Sequence, residues 1–222
     1  RQMCIRDSMT SDQCLTGTDR VAEAAVELSY DFIVNIQGDE PLVDPNHIDL
    51  VADKISNNKR ISLIAGPCQL ESEQHAMDMA GKIKEIAHKF KIGFIYKTSF
   101  DKANRTSIKG KRGAGLEKSL PVFDKIKKEL NVPILTDIHN EEQCSQVAEH
   151  VDVLQIPAFL CRQTDLIKEA CQSGKPLNIK KGQFLSPDQM KNIIEKCFNF
   201  GNDQVMLCER GTSFGYDNLV VD

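Results

Sequence analysis

The stretch that decides the fold reads Gly93-Phe94-Ile95-Tyr96-Lys97-Thr98-Ser99-Phe100-Asp101-Lys102-Ala103-Asn104-Arg105. An apolar run of strand length passes directly into three cations and three small polar groups. A strand that ends in such a cluster presents its charge at one mouth of a sheet or barrel, where α/β proteins build anion sites. The alternative is a basic loop that faces water, as most charge runs do.

Outward from this stretch, short apolar strands alternate with amphipathic helices. The predicted strands are residues 62–65, 93–96, 132–136, 151–156, 177–179 and 204–207. The predicted helices are residues 72–90, a segment marked by Leu120 to Leu130, residues 141–150 and 164–171, and a segment that starts at Ser186-Pro187-Asp188-Gln189. Such short βα units predict a parallel sheet wrapped by helices.

Polar residues cluster where each predicted strand ends. They are Cys68, Lys97 to Arg105, Asp137 with His139, Gln155, Lys180 and Arg210. A (β/α)8 barrel places its active site at these strand ends. We therefore expect an α/β fold, an incomplete (β/α)8 TIM barrel with about six of eight strands, preceded by a short N-terminal βα fragment. An open doubly wound sheet is the alternative, although neither GxGxxG nor a Walker A motif follows any strand.

The cations are expected to converge at that end of the barrel. Four of them, Lys97, Lys102, Lys180 and Arg210, would bind a compact polyanion such as a phosphate with a carboxylate. A second phosphate suits Arg105 and Arg162, and sugar hydroxyls suit Asp137 and Asn104. This set favours an aldol-type site for two phosphorylated substrates.

Two further strand-end residues have a functional and an ordinary interpretation. Cys68 and His139 are candidates to bind a metal or to perturb a proton. The alternatives are a packed thiol and a plain loop histidine, since both are common at such positions.

Composition narrows the class of protein. The chain has 222 residues, 41% apolar and 27% charged, which is typical of a folded domain. A net charge of −4 gives no bulk basic field for nucleic acid. No apolar run reaches the roughly 20 residues of a membrane span, and no secretory segment is found near the start. Eight cysteines without a CxxC pair favour reduced thiols, and we expect a cytoplasmic protein.

The N-terminal part differs from the rest. Residues 1–8 are interpreted as a non-native leader. Residues 9–57 form a separate unit in which Phe32 to Ile36 are predicted to be a strand. That strand ends in Gln37-Gly38-Asp39-Glu40-Pro41, which is either an ordinary turn or, through Asp39, a weak metal site. Residues 58–222 form the second domain, a partial TIM-barrel aldol-type synthase domain.

Residues 9–57 resemble the CMP-octulosonate cytidylyltransferases. The matching runs are Thr16-Gly17-Thr18-Asp19-Arg20-Val21-Ala22-Glu23 and Ile33-Val34-Asn35-Ile36-Gln37-Gly38-Asp39-Glu40-Pro41. The resemblance implies that Asp39 binds magnesium. The nucleotide-binding strand and the second metal-binding carboxylate of that family are absent from this chain.

The rest of the chain resembles the 3-deoxy-D-manno-octulosonate 8-phosphate synthases. The matching motifs are Ala65-Gly66-Pro67-Cys68, Glu71-Ser72, Lys97 to Arg105, Thr136-Asp137-Ile138-His139, Gln155-Ile156-Pro157-Ala158-Phe159-Leu160, Arg162 to Leu166, Asn178-Ile179-Lys180-Lys181, Gln183-Phe184, Arg210-Gly211 and Phe214 to Asp222. The related aromatic-pathway synthases share the Gly-Pro-Cys start and have a different lysine motif.

That resemblance implies a (β/α)8 barrel that condenses phosphoenolpyruvate with arabinose 5-phosphate in lipopolysaccharide precursor synthesis. The residues that it implies for phosphoenolpyruvate are Lys97, Ser99, Lys102, Gln155, Ala158, Lys180 and Arg210, with Phe159 beside them. Those implied for the pentose phosphate are Asn104, Arg105, Thr106 and Asp137, and Arg162 would reach a neighbouring subunit's site. Catalytic roles are expected for Lys102, Lys180, Asp137 and Cys68. The resemblance also implies a homo-oligomer, which is a tetramer in that family, and no nucleic-acid or membrane partner.

A divalent metal is expected as cofactor, because Cys68 marks the metal-dependent branch of that family. The resemblance implies three more ligands, a His, a Glu and an Asp, on elements beyond Asp222. The chain is therefore expected to be a C-terminally truncated form with an incomplete metal site and little activity. The alternatives are an inactive chimera of two fragments and cytidylyl transfer by the N-terminal part.

Overall fold

A computed structural model describes residues 62–213 and 219–220, and every structural statement below concerns those residues. The interpretations of residues 1–8 and 9–57, including the Asp39 metal site, lie outside them. The division of the chain at residue 58 likewise stays a prediction.

Six strands form one parallel sheet in chain order. They are β1 (Ser62–Ala65), β2 (Gly93–Lys97), β3 (Ile134–Asp137), β4 (Val153–Ile156), β5 (Leu177–Lys180) and β6 (Val205–Cys208). Pairing is parallel throughout, and at the C-terminal ends Asp137 lies opposite Gln155, and Lys180 opposite Cys208. The register therefore brings the polar strand ends to one edge of the sheet.

Helices connect consecutive strands. They are α1 (Glu73–Lys89), α2 (Leu116–Leu130), α3 (Glu141–Ala148), α4 (Thr164–Gln172) and α5 (Met190–Asn199), with 3-10 turns at Ala158–Leu160 and Pro187–Gln189. A short antiparallel pair follows, β7 (Thr212–Ser213) with β8 (Leu219–Val220). Among the described helices, none is both long enough and apolar enough to cross a bilayer.

Local chemistry explains where the helices begin. The Ser72 hydroxyl accepts a hydrogen bond from the His75 amide at 3.2 Å, which caps the first turn of α1. Asn140 caps α3 in the same way, accepting from the Gln143 amide at 3.0 Å. The predicted start at Ser186 is a 3-10 turn, in which Gln189 Oε1 accepts from the Ser186 amide at 3.2 Å before α5 begins.

The core lies between the sheet and the helices. Every residue of β3 and β4 is buried, as expected for the inner strands of a parallel sheet covered on both faces. The helices contribute apolar faces such as Phe123 and Ile126 on α2 and Ile167 on α4. The strands curl into a half-barrel, which confirms the predicted α/β class and the incomplete (β/α)8 barrel.

Candidate active site

A cavity of about 360 Å³ opens at the C-terminal ends of strands β2 to β6. Its lining residues are Asp101, Lys102, Ala103, Asn104, Asp137, His139, Pro157, Ala158, Phe159, Leu160, Lys180 and Arg210. Lys102 follows β2, Lys180 ends β5 and Arg210 follows β6, and all three line this one cavity. The fold thus brings together three of the four cations that were expected to converge. Lys97 is not among the lining residues, but it lies near enough to Lys102 and Lys180 for their charges to add to the effect of burial in lowering its pKa.

A buried row of polar side chains crosses the sheet at the cavity. The Ser99 hydroxyl donates to Asp137 Oδ2 at 2.5 Å, and the Gln155 side-chain amide donates to Asp137 Oδ1. Asn178 Nδ2 in turn donates to Gln155 Oε1 at 2.9 Å. Each member fixes the orientation of the next, so both carboxylate oxygens of Asp137 are held by protein donors.

The site carries more positive than negative charge. Burial lowers the pKa of Lys97, and the nearby Asp137 carboxylate partly opposes that effect. Burial alone would raise the pKa of Asp137, but the Lys97 ammonium and the Ser99 hydrogen bond hold it below its ordinary value. Asp137 is thus an anion at neutral pH facing several cations, and the remaining positive charge is available to an anionic ligand.

His139 is a neutral group at the rim of the cavity. Burial lowers its pKa below the ordinary value of 6.5, although Asp137 acts in the opposite direction. Its ring packs against Phe100 with the ring centroids 5.1 Å apart. A neutral imidazole beside an anion site exchanges hydrogen bonds and adds no charge of its own.

The loop that carries Lys102 is held in place by hydrogen bonds to Arg112. The Lys102 amide donates to the Arg112 carbonyl at 2.6 Å. The Arg112 guanidinium binds Asp101 through two hydrogen bonds, Nε to Oδ1 at 2.8 Å and Nη2 to Oδ2. The Arg112 hydrogen bond holds the pKa of Asp101 below its usual range. This bidentate pair orders the backbone on either side of Lys102.

Two residues expected at the pentose phosphate lie at the edge of the site. Arg105 Nη2 donates to Gln69 Oε1 at 2.8 Å, and its Nε donates to the Lys111 carbonyl at 3.0 Å. Arg105 does not line the cavity, and Thr106 is exposed on the same loop. Of the residues expected to contact the sugar, the structure brings Asn104 and Asp137 to the cavity.

Arg162 lies in a different place from the other cations. It lines a second cavity of about 210 Å³ with Leu185, Gln189, Asn192, Ile193 and Lys196. The Lys196 ammonium donates to the Arg162 carbonyl at 3.1 Å and to the Thr164 hydroxyl at 2.8 Å. Arg162 is not among the residues that line the main cavity.

Cys68 is exposed and close enough to Lys97 to influence its pKa. Within residues 62–213 and 219–220, no three His, Cys, Asp or Glu side chains come together as a metal site. The described residues supply one thiol donor and therefore do not make a complete site.

Sequence reasoning assigned no role to Asn178, which ends the buried polar row. A signal was available, because Asn178 stands two positions before Lys180, and residues two apart on a strand share a face. Asp101, Pro157 and Leu160 also line the cavity without having been assigned. They neighbour assigned residues in the chain, and only the folded loops show their orientation.

Comparison with known proteins gives one family and several close relatives. A family model described as the DAHP synthetase I family matches residues 39–222, a span that begins inside the segment assigned to residues 9–57. A 2-dehydro-3-deoxyphosphooctonate aldolase of Chelativorans sp. (strain BNC1) is 60% identical over 167 residues, which cover 75% of this chain and 60% of that protein.

Proteins of the same name in other bacteria match equally well. The one from Bartonella henselae is 58% identical over 180 residues, covering 81% of this chain and 64% of that protein. The one from Mesorhizobium japonicum is 59% identical over 166 residues, covering 75% and 60%. The chain thus spans roughly three fifths of the length of these relatives. Together with the half-barrel and its cation-lined cavity, a family match over most of the sequence shows that the chain belongs to the DAHP synthetase I family.

Proposed function

We propose that the protein condenses phosphoenolpyruvate with arabinose 5-phosphate to form 3-deoxy-D-manno-octulosonate 8-phosphate and inorganic phosphate, a step in lipopolysaccharide precursor synthesis. The observation that carries the proposal is the cavity in which Lys102, Lys180 and Arg210 meet from three strand ends. The names of the relatives support the choice of this reaction within the family.

The reaction joins the methylene carbon of phosphoenolpyruvate to the aldehyde carbon of the pentose. The aldehyde oxygen takes up a proton, one water is consumed and phosphate leaves. Cations are needed twice, to hold the phosphate and carboxylate of one substrate and to offset the negative charge that develops on the aldehyde oxygen. We assign the first task to Lys97, Lys180 and Arg210, and place Lys102 beside the reacting aldehyde.

The buried polar row prepares the site for this chemistry. Its hydrogen bonds keep Asp137 ionised and stationary, so that Lys97 stays charged beside it. Preorganised charge of this kind lowers the barrier because the site does not need to reorganise during the reaction. Asn104 and Asp137 line the cavity where the pentose would lie.

The test is release of inorganic phosphate from phosphoenolpyruvate by the purified chain, together with calorimetric binding of phosphoenolpyruvate. Binding is expected to weaken about 10- to 100-fold in Lys180→Met and Arg210→Ala, since each loses a charged hydrogen bond. Lys191→Met is the matched control, because Lys191 pairs with Asp188 outside the cavity. Equal binding by all four proteins, or phosphate release that does not depend on the pentose phosphate, would contradict the proposal.

We further propose a divalent metal at Cys68, placing the protein in the metal-dependent branch. The exposure of the Cys68 thiol supports this assignment. The described residues offer no complete donor set, so no step of the reaction is derived through the metal. Metal analysis of the purified protein should find bound Zn, Fe or Mn that is lost in Cys68→Ala, and a metal content unaffected by that substitution would contradict it.

The resemblance to the 3-deoxy-D-manno-octulosonate 8-phosphate synthases also implies how the protein assembles and where it is located. We propose a cytoplasmic homo-oligomer in which Arg162 serves a neighbouring subunit. Support comes from its position in a separate cavity, away from the main site of its own protomer. Mixing inactive Arg162→Ala protein with inactive Lys180→Met protein should restore part of the activity, and no restoration would contradict sharing of the site.

Cytidylyl transfer by residues 9–57 is the second candidate function. It is favoured by the two runs that carry the resemblance, Thr16 to Glu23 and Ile33 to Pro41. With 3-deoxy-D-manno-octulosonate present to accept the cytidylyl group, pyrophosphate release from cytidine triphosphate that is lost in Asp39→Asn is the expected result. Absence of that release would contradict the second candidate function.

A further inference from the structure

Lys181 carries a buried ammonium group outside the cavity. Lys180, the last residue of β5, lines the cavity, whereas Lys181, the next residue, is not among the lining residues. The Lys181 side chain is only 2% exposed. A lysine is almost never buried to this extent unless it is paired, so its partners show what it does.

The partners of Lys181 come from two separate loops. Its Nζ donates to the Leu185 carbonyl at 3.0 Å, in the segment that follows β5. It also donates to the Gly211 carbonyl at 2.9 Å and to the Thr212 hydroxyl at 3.4 Å, in the segment that follows β6. One ammonium group therefore connects the segment after β5, which begins next to Lys180, with the segment after β6, which contains Arg210.

Glu209 extends this connection to the backbone around Arg210. Its Oε1 lies 3.4 Å from Lys181 Nζ and accepts hydrogen bonds from the amides of Arg210 at 2.8 Å and Gly211 at 2.5 Å. Gly211 has φ of 78°, a left-handed conformation that turns the chain sharply at this point. The turn that presents Arg210 is thus held from beneath by a charged pair.

The same turn is fixed at both ends by backbone hydrogen bonds. The Lys181 amide donates to the Cys208 carbonyl at 2.9 Å, and the Ser213 amide donates to the Gln183 carbonyl at 3.0 Å. Between these bonds, the Lys181–Glu209 pair is the charged contact beneath the turn. Among the described residues, the Arg210 guanidinium itself makes no hydrogen bond that would fix its direction.

We propose that Lys181 is a positioning residue that acts through Arg210, by clamping the Glu209–Thr212 turn so that the guanidinium points into the cavity. The inference rests on the proposed function for the identity of the anion that Arg210 meets. Lys181 does not touch the substrate. Lys181 restricts Arg210 before the ligand binds. The Arg210 side chain then loses less conformational entropy on binding, and this preorganisation raises affinity.

A double-mutant cycle on phosphoenolpyruvate binding tests this coupling. Lys181→Met and Arg210→Ala should each weaken calorimetric binding about 10-fold or more, and the double variant should bind no more weakly than Arg210→Ala alone. Ile126→Ala is the control for lost stability, because Ile126 is buried in α2 and lines neither cavity. It should lower the urea midpoint and leave binding unchanged.

Hydrogen exchange at the Arg210 and Gly211 amides gives a readout that does not depend on the ligand. Exchange should accelerate in Lys181→Met and in Glu209→Gln, which removes the charge and keeps an oxygen acceptor. Glu209→Gln also serves if Lys181→Met fails to fold. Additive losses in the cycle, or unchanged exchange at both amides, would overturn the role of Lys181. If exchange accelerates in the variants as expected but wild-type protein does not bind phosphoenolpyruvate, the proposed function is overturned instead.

Discussion

The Asn178 side-chain amide sets the orientation of the buried polar side chains at the site. Its Nδ2 is the donor that holds Gln155 Oε1, so the Gln155 amide group points its own N–H toward Asp137. In Asn178→Leu, this oxygen is left buried without a donor, at a cost of about 1–3 kcal/mol in the free energy of unfolding. Phosphoenolpyruvate binding should also weaken, because the Gln155 amide is then free to turn.

Asn202→Leu is the matched control for that prediction. Asn202 is also 6% exposed, and it donates to the Lys175 carbonyl at 2.9 Å and accepts from the Gln204 amide at 2.9 Å, away from the cavity lining. Urea denaturation should show destabilisation of both variants, at least as large in Asn202→Leu, and calorimetry should show weakened binding only in Asn178→Leu. Equal effects on binding would mean that Asn178 contributes stability alone.

Lys97 predicts the pH dependence of anion binding. Burial lowers its pKa from the ordinary 10.5, and Asp137 partly restores it. The group therefore loses its proton, and with it its attraction for phosphate, at a lower pH than an exposed lysine does. Affinity for phosphoenolpyruvate should fall as pH rises toward 10.5, beginning below that value, because only the charged form binds an anion.

Lys97→Arg provides the comparison, since a guanidinium stays charged throughout this range. Calorimetric titrations from pH 7 upward should show a decline in wild-type protein that is absent or displaced to higher pH in the variant. A wild-type affinity that stays flat to pH 10.5, or an identical decline in both proteins, would argue against Lys97 as a ligand of the anion.

At the scale of elements, the end of β1 packs directly against the end of β2. A Cβ atom added at Gly66 would lie 2.1 Å from the Lys97 carbonyl oxygen, much closer than van der Waals contact allows. Gly66→Ala should separate the two strand ends and displace Lys97. We expect destabilisation of about 1–3 kcal/mol, as for other overpacked sites, and weaker binding of phosphoenolpyruvate.

Gly81→Ala tests whether this effect is specific to the strand contact. A Cβ at Gly81, within α1, would meet nothing within 4 Å. Alanine is the better helix former, so the free energy of unfolding should rise by about 0.5–1 kcal/mol with no change in binding. Urea denaturation of the pair measures both changes, and a Gly66→Ala protein as stable as wild type would contradict the close approach of β1 and β2.

At the scale of the whole molecule, the reactivity of each free thiol depends on how completely the helices cover the sheet around it. Cys144, Cys161, Cys171 and Cys197 are buried on or beside helices, whereas Cys68 is exposed and Cys208 is half-buried. Burial raises the pKa of Cys144 to about 12, which leaves almost no reactive thiolate at neutral pH. Among the six cysteines of the described residues, peptide mapping after brief labelling with iodoacetamide should find Cys68 modified first and Cys208 next.

The buried thiols should react only after denaturant is added. Labelling in increasing urea should then modify all four over the same concentration range, because they belong to one packed core. Rapid labelling of Cys197 in native protein would contradict the packing of α4 against α5.

Local sequence patterns were sufficient to predict the helices and strands among the described residues. Apolar runs of strand length, helical spacing and capping residues specify short-range structure, and the observed bounds differ from the predicted ones by no more than two residues at most ends. The position of Lys102, Lys180 and Arg210 at strand ends also followed from the sequence, since parallel strands bring their C-terminal ends to one edge.

Tertiary structure alone decided what each polar side chain touches. The family resemblance implied a role for Lys180 and none for Lys181, whose contacts depend on loops that meet only in the folded chain. Lys180 lines the cavity, and Lys181 is buried beneath a turn. Arg162 lies in a second cavity, and Asp137 is held on both oxygens by neighbours from other strands. These contacts join residues up to 38 positions apart, so they exist only when the strands have paired. The sequence by itself thus determined the fold class and the sign of the charge at the site, and the pairing of distant strands decided its geometry.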